Sequence, residues 1–139
     1  MGSKPLILIV DDEKDIRDII RLKLEASGFE VKEAADGMSG LKLAQESKPD
    51  IILLDVVMPK MDGTAVLLEL KKDERTRNIK VYLFTGKGDP QPAIVEINRR
   101  FAKESGAVDF IRKEIDLDEL VVKLQKTISE IKQGLYPAN

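Results

Sequence analysis

The sequence has no cysteine, no histidine and no tryptophan, and only four phenylalanines and two tyrosines among its 139 residues. Without cysteine there is no disulfide framework, no thiolate nucleophile and no sulfur ligand for a metal. Without histidine there is no phosphohistidine, no imidazole general base and no imidazole ligand. Any chemistry must therefore run on carboxylates, hydroxyls, lysine and backbone. With aromatics at 4%, the core falls to Leu, Ile and Val. No apolar run approaches a membrane span, and the N-terminus shows no signal-peptide pattern. The net charge of -2 leaves no basic footprint for nucleic acid or an anionic membrane surface. These absences predict a soluble, cytoplasmic chain with neither a membrane nor a nucleic-acid partner.

What is present suits one globular unit: 42% hydrophobic and 35% charged residues. The domain is expected over 4–132, with 1–3 as an appended remnant and 133–139 as a C-terminal tail. Five short apolar runs read as strands: Leu6 to Val10, Glu30 to Ala34, Asp50 to Leu54, Lys80 to Phe84, and Val108 to Ile111. The first, third and fourth are nearly continuous in Val, Ile and Leu, as in strands buried on both faces. Helical stripes lie between and after them: Ile16, Ile19, Ile20 and Leu24; Met38, Leu41 and Ala44; Leu67 and Leu70; Ile94, Ile97 and Phe101; and Leu117, Leu120, Val121, Leu124 and Ile128. Gly28 and Gly106 mark helix ends, and Pro49 precedes the third strand. Alternating strands and helices predict an α/β fold, a (βα)5 doubly wound parallel sheet with right-handed crossovers.

In such sheets the functional crevice lies at the carboxyl ends of the strands. The residues there are Asp11-Asp12 after the first strand, Asp55 at the end of the third, Thr85-Gly86 at the end of the fourth and Lys113 after the fifth. If the strand order is 2-1-3-4-5, the first and third strands are neighbours and their carboxylates converge. Crowded carboxylates repel, and a hard cation such as Mg²⁺ relieves the repulsion through oxygen ligands. Lys113 adds positive charge, Thr85 a hydroxyl donor, and an Asp carboxylate can act as a nucleophile toward phosphorus. Taken singly, each residue has a plainer explanation: Asp11-Asp12 as a solvated helix start, Thr85 as a strand former, Lys113 as a surface charge. Their joint placement is what those explanations leave out.

The motifs resemble those of response-regulator receiver domains, the phosphoacceptor modules of two-component signalling. The resemblance runs through Leu8-Ile9-Val10-Asp11-Asp12-Glu13 with Arg17, Ala35-Asp36-Gly37, Asp50-Ile51-Ile52-Leu53-Leu54-Asp55, and Met58-Pro59-Lys60-Met61-Asp62-Gly63. It continues in Thr85-Gly86 and Gly106-Ala107-Val108-Asp109-Phe110-Ile111-Arg112-Lys113, covering essentially the whole chain. It implies the flavodoxin-like strand order 2-1-3-4-5, with Asp55 as phosphoacceptor. Asp11, Asp12, Asp55 and the backbone carbonyl of Val57 would hold Mg²⁺, and Lys113 would contact the phosphoryl group. Thr85 and Phe110 would form the switch, Phe110 turning inward as Thr85 moves toward the phosphoryl group. The implied donor is a histidine kinase or a His-containing phosphotransfer protein, because this chain has no His of its own. The downstream target is a protein that the sequence does not name, and a homodimer is left open. The family's activity is that of a signalling switch that catalyses only its own phosphorylation and dephosphorylation, not an enzyme acting on other substrates.

Two departures from the family pattern stand out. Glu114 follows Lys113 where the family usually has Pro. The separation of Thr85 from Lys113 exceeds that of most members, with the surplus assigned to Lys87-Gly88-Asp89-Pro90-Gln91-Pro92. Val57 lies two residues past the acceptor, where a polar side chain can orient hydrolytic water and Val cannot, which predicts slow self-dephosphorylation. Other readings fit less well. A dehalogenase-type phosphatase needs a second acid two residues after its nucleophile, and that residue here is Val57. A flavodoxin needs a hydroxyl-rich phosphate loop, where this chain has Asp11-Asp12-Glu13-Lys14-Asp15. A receiver-like module that is never phosphorylated would have no use for the intact five-residue site.

Overall fold

A computed structural model describes residues 4–86, 104 and 106–135. The chain alternates β1 (Leu6–Val10), α1 (Lys14–Ala26), β2 (Glu30–Ala34), α2 (Gly37–Ser47), β3 (Ile51–Asp55) and α3 (Gly63–Lys72). It continues through β4 (Lys80–Thr85) and β5 (Asp109–Arg112) to α4 (Leu117–Lys132). The expected helix on Ile94, Ile97 and Phe101 and the loop Lys87–Pro92 lie outside the described residues. The five strands form one parallel sheet in the order β2-β1-β3-β4-β5, as expected.

The continuous apolar strands are buried on both faces because helices cover both sides of the sheet. Leu8 and Val10 of β1 join Ile52, Leu54, Leu83 and Phe110 in a core under α2 and α3. Ile7 and Ile9 point the other way, into a core with Ile20, Leu24, Tyr82, Leu120 and Leu124 under α1 and α4. Strand limits shift by one residue in three strands: β3 and β5 each start and end one residue later than expected, and β4 runs on to Thr85. Asp50 precedes β3, its backbone N–H donating to Leu6 O at 2.9 Å while its carboxylate accepts from Leu6 N–H at 2.8 Å. Val108 precedes β5, although its N–H still donates to Val81 O at 2.7 Å.

Two stripe residues expected in the core face solvent. Ile19 is 52% exposed, because Ile16, Ile20 and Leu24 at strict four-residue spacing take the contact line of α1 and leave Ile19 on its shoulder. Met38 is 67% exposed, because α2 buries its small residues Gly37, Gly40 and Ala44 instead. A Cβ on Gly40 would lie 2.9 Å from the Val10 methyls, so only glycine lets α2 approach β1 this closely. That close approach turns Met38 outward.

Candidate phosphoacceptor site

Strand register assembles the site. Val10 partners Leu54, so the residues that follow, Asp11 and Asp55, emerge side by side at the carboxyl edge. Asp55 partners Phe84, which brings Thr85 next to it. Thr85 partners Arg112, and the Lys113 N–H donates to Thr85 O at 2.7 Å, setting Lys113 at the end of β5. Position alone thus delivers Asp11, Asp55, Thr85 and Lys113 to one crevice.

Three aspartates in the connections after β2, β3 and β5 act as helix caps. Asp36, Asp62 and Asp116 each cap a helix by accepting from the N–H of Ser39, Ala65 and Asp118 respectively. Asp11, Asp12 and Asp55 do not. The N-cap of α1 is Glu13, with no side-chain cap bond. Asp11 and Asp55 each spend one oxygen on the N–H two residues on, Glu13 at 2.8 Å and Val57 at 3.2 Å. Their second oxygens face Lys113, whose Nζ stands 2.7 Å from Asp11 Oδ2, 3.2 Å from Asp55 Oδ2 and 3.0 Å from Glu13 Oε1.

The charges are crowded and largely dry. Asp11, Asp55 and the Lys113 side chain are buried, while Asp12 and Glu13 are exposed. Burial and the neighbouring Asp11 charge push the Asp55 carboxyl up from its ordinary 3.8 to about 7, against the downward pull of Lys113. Burial lowers the Lys113 ammonium, but hydrogen bonding to Asp11 and Glu13 and the charges of Asp55 and Asp11 outweigh it, holding Lys113 above its ordinary value. Oxygens of Asp11, Asp12, Glu13 and Asp55 all lie within 4.8 Å of one another, an all-oxygen donor set suited to a hard divalent cation. Thr85 Oγ1 is buried without a hydrogen-bond partner among the described residues, an unused donor at the edge of the same pocket. The residues therefore fit both a cation and an added oxyanion.

The loop after β3 folds back on the end of that strand, the Gly63 N–H donating to Val56 O at 2.8 Å. A Cβ on Gly63 would meet Asp55 O at 2.2 Å and Val56 Cα at 2.8 Å, so the return of the chain into α3 requires glycine. The Val57 side chain is 67% exposed and offers no polar group. Phe110 is 3% exposed and already packed in the core, so the inward turn expected of it is complete in this structure before any phosphoryl group arrives. Despite Glu114, Lys113 reaches the carboxylates, and the described residues hold no cis peptide bond. Glu13 was not among the expected site residues. Its exposed position gives little signal in a sequence, and only its adjacency to Asp12 hints at it.

The response regulator receiver domain profile matches residues 7–125. The chain belongs to this family. Among curated relatives it is 38% identical over 121 residues to the DNA-binding dual master transcriptional regulator RpaA of Synechocystis sp., covering 87% of this chain and 48% of that protein. It is 46% identical over 114 residues to the response regulator PleD of Caulobacter vibrioides, covering 79% of this chain and 23% of that protein. The chain thus spans about half or less of the length of these relatives. The structure resembles a CheY-like receiver domain protein from Methanospirillum hungatei, with a TM-score of 0.80, 30% identity, and 95% of this chain and 100% of that one covered. It also resembles the chemotaxis protein CheY4 of Vibrio cholerae, with a TM-score of 0.79, 26% identity, and 90% of this chain and 99% of that one covered. Among the described residues of this receiver, no helix is long and apolar enough to cross a membrane.

Proposed function

We propose that this receiver, over residues 4–132, takes a phosphoryl group onto Asp55 from a phosphohistidine of a partner histidine kinase or phosphotransfer protein. The observation that carries the reading is the buried contact of Asp55 with Lys113 at 3.2 Å beside the unpartnered Thr85 hydroxyl. In the transfer an ionised Asp55 oxygen attacks phosphorus and the P–N bond breaks; the departing imidazole keeps the bonding pair and takes up a proton. Lys113, shared among three carboxylates, can exchange one of them for a phosphoryl oxygen. Asp11, Asp12, Asp55 and the Val57 carbonyl would hold Mg²⁺. When bound, the cation favours the ionised carboxylates and neutralises phosphoryl charge.

The new acyl phosphate brings oxygens within reach of a hydroxyl that is otherwise unsatisfied, so Thr85 moves toward it. Phe110, already inward in β5 and next to Leu83 in the register, packs behind the shifted Thr85 segment, and the signalling face changes. The chain works as a cytoplasmic switch that catalyses only its own phosphorylation and dephosphorylation, and it signals to a downstream protein. Incubation with labelled acetyl phosphate tests the reading. Wild type is expected to gain one hydroxylamine-labile label with Mg²⁺ and none with EDTA, and Asp55→Asn none in either. Equal labelling of Asp55→Asn overturns it.

A further inference from the structure

The site acids sit on a short backbone segment, and one side chain fixes it. The Asp11 N–H donates to Ala34 O at 3.1 Å, so Asp11 is the last residue of its segment tied to β2. Its carbonyl points out of the ladder and accepts from Arg17 Nη1 at 2.8 Å. That carbonyl belongs to the peptide joining Asp11 to Asp12. Arg17 is itself held, its Nε donating to Glu33 Oε1 at 3.1 Å. The other Glu33 oxygen lies 2.9 Å from Arg21 Nε, one helical turn further along α1. Arg21 in turn pairs with Asp18 at 3.2 Å.

The placement follows from the sheet. Val31 packs in the core under α1, and Glu33, two residues on in β2, shares its face. There Glu33 meets Arg17 and Arg21, spaced four apart on α1. The pair is well shielded, with side-chain exposures of 14% for Arg17 and 27% for Glu33. Asp12 differs from Asp11: it is exposed, and among the described residues nothing bonds its carboxylate. Its direction is therefore set by the backbone, at the peptide that Arg17 grips.

We infer that Arg17, braced by Glu33, is a positioning residue that aims Asp12 at the cation through the Asp11–Asp12 peptide. This rests on the reading of Asp11 and Asp12 as Mg²⁺ ligands. Arginine suits the task because its planar fork serves the carbonyl and the carboxylate together, whereas lysine offers a single point charge. Outer partners of this kind typically change metal affinity by 10–100-fold.

The test compares wild type with Arg17→Ala, Arg17→Lys and Glu33→Gln. Mg²⁺ affinity is read by titration calorimetry, and each melting temperature is recorded without metal. Arg17→Ala is expected to weaken Mg²⁺ binding about 10-fold. Glu33→Gln, which keeps the shape and removes the charge, is expected to weaken it less, and Arg17→Lys to restore part of the loss. With acetyl phosphate as donor, the Mg²⁺ concentration giving half the maximal rate rises by the same factor, while the rate at saturating Mg²⁺ stays near wild type. Unchanged affinity in folded Arg17→Ala and Glu33→Gln overturns the inference. So does a rate that falls equally at every Mg²⁺ concentration, the mark of lost folded protein alone. If Arg17→Ala does not fold, unchanged half-saturation in Arg17→Lys and Glu33→Gln decides against it. A wild type that binds no Mg²⁺ overturns the site reading itself, and that result is distinct because it appears without any substitution.

Discussion

Asp55→Asn is expected to stabilise the metal-free domain, and to do so more strongly as pH rises. The Asp55 carboxyl holds its proton up to about pH 7 in the folded chain, against an ordinary value of 3.8. Because the folded value is raised, the stability this group supports is complete below pH 3.8 and declines as pH climbs toward 7. Above that range the loss is constant. Linkage puts the cost of carrying this carboxylate at about 1.5 kcal/mol near pH 5 and about 4 kcal/mol near pH 8.5. Asparagine has nearly the shape of the protonated acid and keeps an oxygen for the Val57 N–H; its amide nitrogen replaces the oxygen that faces Lys113, a loss that does not vary with pH, so the pH dependence reports the charge. Urea unfolding in EDTA at the two pH values measures the effect. The variant is expected to exceed wild type at pH 8.5, with a gap larger there than at pH 5 by about 2–3 kcal/mol. A gap independent of pH, or a variant less stable than wild type at pH 8.5, refutes the reasoning.

Gly63→Ala is expected to cost about 1–3 kcal/mol in urea unfolding, because the new methyl runs into Asp55 O and Val56 Cα, both backbone atoms of the site. A change within 0.3 kcal/mol of zero, roughly experimental error, refutes the steric argument. Val57→Asn is expected to speed loss of the acyl phosphate after the donor is removed, since it places a water-orienting amide at an exposed position beside Asp55. Equal rates of phosphate release discard that idea. Phe110→Ala is expected to cost about 3–5 kcal/mol through the cavity it opens beside Leu83 and Ala107. Calorimetric unfolding checks this, and a smaller loss means that Phe110 contributes little packing in the metal-free state.

Much of the fold was legible because two-sided burial writes itself into β1, β3 and β4 as unbroken apolar runs. Parallel pairing then sends their ends to one edge. The site followed from those ends, with Asp11, Asp55, Thr85 and Lys113 each at or just past one. Helix faces were harder to read. Ile19 and Met38 look like core residues, yet α1 contacts the sheet along a narrow line and α2 through its glycines, and neither preference shows in hydrophobicity. Glu13 carries little signal because an exposed acid is the commonest kind of surface residue; the reach of Lys113 and the closeness of the other carboxylates give it a place. The brace from Glu33 to Arg17 needed the strand register, since it joins residues sixteen positions apart.

The most direct measurement is the location of the acyl phosphate. Protein treated with acetyl phosphate and Mg²⁺ is reduced with borohydride, which converts a phosphorylated aspartate to homoserine, and its peptides are sequenced by mass spectrometry. The account predicts homoserine at position 55 alone, absent after EDTA. Homoserine at position 11 or 12, or none anywhere in protein that binds Mg²⁺, contradicts it.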